Sequence, residues 1–209
     1  MKTLNSIFYS LMITIGALAS ANTAAEQKMV ILGDSLSAAY GIDEDQGWVQ
    51  LLRNRLSNSN IKTKVINASI SGETTGGGLN RLAKILREYQ PKLLVIELGG
   101  NDGLRGYPIK HMKNNLQKMI KMAKDQHTEV ILLGMKIPPN YGQRYSELFY
   151  NSYFSTAEKM EVALVPFFLE GVATNPELMQ ADGIHPTARG QQRMLNNVWE
   201  ALIKALKAT

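Results

Sequence analysis

Five short runs rich in Val, Ile and Leu recur along the chain. They are "MVIL" (29–32), "KVINAS" (64–69), "LLVIELG" (93–99), "EVILLGM" (129–135) and "ALVPFF" (163–168). Several are apolar almost throughout, the pattern of strands covered on both faces. The intervening stretches carry apolar residues at helical spacing instead. Val49, Leu52 and Leu56 make one stripe, and Leu79, Leu82, Leu86 and Tyr89 a second. Ile109, Met112, Leu116, Met119 and Ala123 make a third, and Phe149, Tyr153, Ala157 and Met160 a fourth. Leu195, Val198, Trp199, Leu202 and Leu206 make the last. Strand and helix in repeated alternation predict an α/β fold, a parallel sheet with helices on both faces. The Met and aromatic residues of the stripes read as core.

In such a sheet, ligands bind beyond the C-terminal ends of the strands. The segments that follow the five runs are therefore the place to look for chemistry. They are "GDSLS", "ISGETTGGG", "GGNDGLRG", "KIPPNYGQRY" and, after a longer connection, "DGIHPTARG". The chain has three histidines. His111 and His127 stand among Lys, Asn, Asp and Gln and read as solvated on helix surfaces. His185 lies three residues after Asp182, just before the last helix. An Asp that accepts the Nδ1 proton of a histidine leaves Nε2 free to take a proton from a hydroxyl. Ser35 offers that hydroxyl. A serine is a poor nucleophile until a base lies within hydrogen-bond reach. The sequence places Ser35 just after the first strand, at the expected entry to a helix whose free N–H groups would favour an oxyanion. Taken alone, "GDSLS" reads equally well as a helix cap made by Asp34, Ser35 or Ser37. It also differs from a full G-x-S-x-G elbow, because Ser37 fills the last position. Gly72 could add a backbone N–H and Asn101 a side-chain amide to the oxyanion site, although each also suits an ordinary turn. "GETTGGG" lacks the G-K-[ST] ending of a phosphate loop, so nucleotide binding is not expected.

Composition removes other classes. The formal net charge of +5 is spread without a dense basic block, which gives no footprint for nucleic acid. A weak pull toward anionic lipid surfaces is compatible with it. There is no Cys, so thiolate metal sites, a Cys nucleophile, disulfides and a lipidated N-terminus are all excluded. The first residues, "MKTLNSIFYSLMITIGALASANTAA", run from Lys2 through an apolar stretch to small residues. That order is the order of a secretory signal peptide. Its apolar run falls short of the roughly 20 residues that span a bilayer. Cleavage is expected after Ala25, with Ala21 the second choice, which leaves 26–209 as a single domain.

"GDSLS", Gly72 in "ASISGETT", Asn101 in "LGGNDGLRG", and "DGIHP" together resemble the four blocks of the SGNH, or GDSL, hydrolases. The blocks fall in order along the whole remaining chain. "GGNDGLRG", "PPNYGQRY" and "VPFF…MQADGIHP" are similar to the periplasmic thioesterase–protease–lysophospholipase branch of that family. The resemblance implies a three-layer αβα sandwich of flavodoxin-like kind around a five-stranded parallel sheet. It implies Ser35 as nucleophile, His185 as base and Asp182 as the group that orients it. It implies an oxyanion hole from the Ser35 and Gly72 N–H groups and the Asn101 side chain. A mobile loop from about Lys136 to Tyr145 would line the acyl site, and its Pro138, Pro139, Tyr141, Gly142 and Tyr145 suit an acyl chain lying in a groove. Acyl transfer of this kind needs no metal or organic cofactor. The expected substrate is a small acyl ester or thioester, with lysophospholipid included, and the expected protein is a periplasmic or secreted monomer. Two other classes compete: a carbohydrate acetylesterase on the same architecture, and a non-catalytic periplasmic binding protein on the same sheet.

Overall fold

The computed structural model describes residues 27–208, so the proposed leader lies outside the described residues. Five strands form one sheet: β1 (Gln27–Gly33), β2 (Thr63–Asn67), β3 (Leu93–Glu97), β4 (Glu129–Leu133) and β5 (Ala163–Val165). All pairings are parallel, in the order β2-β1-β3-β4-β5. That order reverses direction between β1 and β3, and the reversal opens a crevice at the carboxyl ends of those two strands. The helices are α1 (Trp48–Asn58), α2 (Thr75–Tyr89), α3 (Gly100–Leu104), α4 (Ile109–Lys124), α5 (Gln143–Met160) and α6 (Ala188–Ala208). α1 and α6 pack together as one layer, and α2, α4 and α5 pack as another. The result is a three-layer α/β sandwich, as the alternating pattern requires.

The buried faces follow from the sequence spacing. All five residues of β3 are buried, and so are Met29 to Gly33 of β1, because helices cover both sides of these central strands. β2 lies at one edge, and there Lys64 is exposed. An edge strand that carries charge discourages pairing with other chains. The stripe residues Leu52, Leu82, Leu116, Met119, Phe149, Tyr153, Val198 and Leu202 all reach the core. Each such side chain contributes about 1.5–3 kcal/mol through burial.

Four strands end earlier than their apolar runs. β5 stops at Val165, ahead of Pro166, which has no N–H for the ladder. The remainder of each run continues into the segments at the sheet's carboxyl edge.

Candidate active site

The expected helix after β1 does not form. Residues 35–42 make a turn, with hydrogen bonds from Ala38 N–H to the Asp34 carbonyl and from Tyr40 N–H to the Ser35 carbonyl. The next long helix is α1, which begins only at Trp48. Asp34 explains the difference in part. Its Oδ1 accepts the Leu36 N–H at 3.1 Å, and this local side-chain bond competes with helix formation. Ser35 therefore does not stand at the N-terminus of a helix that follows β1, and its surroundings come from elsewhere in the fold.

The histidine segment supplies the first part. Met179 and Pro186 form an antiparallel bridge, and Gln180 N–H bonds the His185 carbonyl at 2.7 Å, so 180–185 closes as a loop. Inside it, Asp182 Oδ1 accepts the backbone N–H groups of Ile184 and His185 at 2.9 and 3.0 Å. The other oxygen, Oδ2, lies 2.6 Å from His185 Nδ1. His185 Nε2 lies 2.9 Å from Ser35 Oγ, across 150 residues of sequence. Burial, the largest single influence, pushes the Asp182 carboxyl up, but the bonds from the His185 ring and the two N–H groups together outweigh it and hold Asp182 down at about 2. It is thus an anion facing Nδ1, which favours the tautomer with the proton there and a lone pair on Nε2. Tyr40 lies against the imidazole, ring centroids 4.5 Å apart, a contact that no local spacing signals.

The other strand ends converge on the same edge. Asn101 stands in the first turn of α3 rather than in a loop. Gly99 makes that tight entry possible: its φ of +114° is a left-handed value, and any Cβ there would strike the Tyr153 hydroxyl. The Asn101 amide nitrogen donates to Asp34 Oδ2 at 3.0 Å, which places it beside the Ser35 turn. The loop after β2 is drawn in by Ile70 N–H on the Gly33 carbonyl and by Asn67 Nδ2 on the Ser37 carbonyl, at 3.1 and 2.8 Å. Gly72, with φ +77°, follows in that loop, and Arg105 Nη2 holds its carbonyl at 3.0 Å. Arg105 lies outside the four motif blocks' expected site residues and was legible only as the "R" of "GGNDGLRG".

The expected acyl-site segment is only partly a loop. Pro139–Tyr141 form a short 3-10 turn, Gly142 precedes α5, and Tyr145 already lies within α5. Pro138 is exposed. Tyr141 and Tyr145 donate their hydroxyls to the Leu104 and Tyr107 carbonyls, both at 3.0 Å. The segment is thereby fastened to the stretch that follows Asn101. His111 is exposed on α4, whereas His127 is exposed in the turn beyond it, at φ +56°. Exposed large apolar side chains include Tyr40, Ile70, Tyr107, Tyr141 and Ile184, one from each segment that follows a strand.

A serine, an imidazole and a carboxylate in hydrogen-bonded series, at the switch point of a parallel three-layer sandwich, define a class: the serine acyl hydrolases of α/β type. Comparison with known proteins narrows this. Residues 31–193 match the GDSL-like Lipase/Acylhydrolase family. Esterase TesA of Pseudomonas aeruginosa is 51% identical over 179 residues, 86% of this chain and 89% of that protein. The thioesterase 1/protease 1/lysophospholipase L1 of Escherichia coli is 40% identical over 192 residues, 91% of each chain. The crystal structure of the psychrotrophic esterase EstA from Pseudoalteromonas, inhibited by monoethylphosphonate, superposes with a TM-score of 0.83. It is 41% identical and covers 87% of this chain and 99% of its own. The chain belongs to the GDSL-like lipase/acylhydrolase family and is an acyl-ester hydrolase.

Proposed function

We propose that the protein hydrolyses carboxylic esters and thioesters, lysophospholipids among them, through an acyl-enzyme on Ser35. The observation that carries this reading is the 2.9 Å approach of His185 Nε2 to Ser35 Oγ, with Asp182 on the opposite ring nitrogen. His185 takes the Ser35 proton as Oγ attacks the acyl carbonyl. Donors from Ser35 N–H, Gly72 N–H and the Asn101 side chain meet the oxyanion. His185 then gives its proton to an alkoxide leaving group, whereas a thiolate leaves with less help. Water activated by the same imidazole releases the acid. Asp182 stays ionised and steadies the imidazolium.

The strand-end segments support the choice of an acyl substrate: each of the five exposes a large apolar side chain, as suits a long acyl group. Pro138, Pro139, Tyr141, Gly142 and Tyr145 form the segment proposed to hold that chain. The names of the relatives, an esterase and a thioesterase/lysophospholipase, support the same choice. Export to the periplasm, with residues 1–25 removed, fits the order of charge, apolar run and small residues at the N-terminus.

The test is covalent labelling with an ethyl phosphonate ester, followed by peptide mass spectrometry and a kinetic profile across acyl lengths. The expected result is one adduct, on Ser35, with loss of ester and thioester turnover together. An adduct elsewhere, or full turnover by Ser35→Ala, overturns the reading.

A further inference from the structure

Beneath the turn that carries Ser35 lies a carboxyl that the acyl transfer above does not use. Glu97 closes β3, in a run otherwise made of Leu, Val and Ile, and is 0% exposed. Its Oε2 accepts the Ser37 hydroxyl at 2.7 Å and the Asp34 N–H at 3.2 Å. Trp48 Nε1 donates to the same Ser37 oxygen at 3.1 Å. Among the described residues, Glu97 forms no ion pair, and its Oε1 meets no donor. Gly33 makes room for this carboxyl: a Cβ there would stand 2.7 Å from Oε2 and 2.8 Å from the Ser37 Cβ.

An isolated ionised carboxylate in such a place is so unfavourable that the group takes up a proton instead. Its acidic neighbour is Asp34, itself buried, whose backbone N–H donates to Glu97 Oε2. Asp34 Oδ2 in turn accepts one hydrogen of the Asn101 amide at 3.0 Å. An amide nitrogen has two hydrogens. With one held by Asp34, the other has a fixed direction.

We propose that Glu97 is a positioning residue that works as a neutral acid: its Oε2 holds the Asp34 N–H and the Ser37 hydroxyl, and so fixes the Asp34 carboxylate that sets the Asn101 amide with its second N–H turned to the oxyanion. The inference rests on the role proposed above for Asn101. A neutral Glu97 has a second effect. It leaves one negative charge beside the oxyanion site, where two would oppose the charge that develops on the substrate.

The electrostatic surroundings agree. Burial first, then the Asp34 charge, push Glu97 well above the usual carboxyl range. Burial also lifts Asp34 to about 6, against the pull of the Leu36 N–H, the Asn101 amide and His185. The titratable groups that face the pair are Asp102 from α3, Tyr153 from α5 and His185 from the last loop. α1 contributes Trp48, which does not titrate.

Two measurements on the full chain decide the matter. Infrared spectroscopy at neutral pH should show the C=O stretch of a protonated carboxylic acid that vanishes in Glu97→Gln. Gln keeps an acceptor for the Ser37 hydroxyl and the Asp34 N–H and is itself neutral, so this variant should hold kcat within about threefold of the original. Glu97→Ala should lower kcat by roughly 10²-fold with KM little changed, as the loss of an oxyanion donor does. A missing acid band, a band that survives in Glu97→Gln, or a fall in Glu97→Gln as deep as in Glu97→Ala overturns the proposal. If Glu97→Ala does not fold, the band and the Gln variant still decide. The band does not depend on turnover, so it separates this inference from failure of the Ser35 reading.

Discussion

At the scale of single residues, the site divides its tasks between groups that move protons and groups that hold them in place. Asp182 accepts three hydrogen bonds, two of them from its own loop's backbone, so its position does not depend on the histidine alone. Asp182→Asn should lower kcat by ~10³–10⁴-fold, because an amide there stabilises the wrong imidazole tautomer and no imidazolium. Asn101→Ala should lower it by only ~10²–10³-fold, the cost of one oxyanion donor. Parallel kinetics on one p-nitrophenyl ester check both, and equal losses would contradict the division of roles. The pH profile carries a further expectation. Asp182 is held at about 2, below its usual 3.8, so it remains charged across the acid range where an esterase is assayed. Its small contribution to stability is present above the usual value and is lost only as pH falls toward about 2; exposure to solvent keeps it small. The acid limb of kcat/KM should therefore carry no proton uptake by Asp182 until pH approaches about 2, and an Asp182 carboxyl that NMR shows to titrate near the usual 3.8 would count against this assignment.

At the scale of elements, α3 is the piece that makes the site possible. It is a single short helix, Gly100–Leu104, too short to stand by its own hydrogen bonds. Asp102 fixes it to the start of α2: Oδ2 accepts the Thr75 N–H at 2.8 Å and Oδ1 the Thr75 hydroxyl at 2.6 Å. Asn115 of α4 donates to the same Thr75 oxygen at 3.1 Å. Asp102 is 4% exposed and sits where the N-terminal dipole of α2 favours a negative charge. Asp102→Ala would leave the buried Thr75 N–H and hydroxyl hydrogen without acceptors and should destabilise the protein by ~1–3 kcal/mol. Urea denaturation measures this. A midpoint unchanged from the original chain would mean that α3 is held chiefly by the packing of Gly103 against Ile137 and Phe149.

At the scale of the whole molecule, one hydrophobic cluster reaches every long helix and all five strands, and the bond between His185 and Ser35 spans that body. Activity and global structure should therefore disappear together in a single urea transition, read by the fluorescence of buried Trp48 and by ester turnover. Turnover lost well before the fluorescence change would show the 180–187 loop to be separately unstable. The sequence determined the sandwich and the triad candidates by itself. Apolar periodicity depends on which face of an element is covered, so strand and helix could be read locally, and Ser35, Asp182 and His185 stood at strand and helix ends where free polar groups belong. It also determined that Gly72 and Asn101 occupy strand-end segments. Only the tertiary structure decided that Ser35 lies in a turn rather than at a helix N-terminus, since the local bond from the Leu36 N–H to Asp34 is joined by bonds that tie Asp34 to Asn101 and Glu97, 67 and 63 residues away. The Glu97 carboxyl was in plain view within "LLVIELG", but its meaning was not. A charged residue in an apolar run acquires a role from what is packed against it, and contacts made across the sheet leave no trace in local spacing.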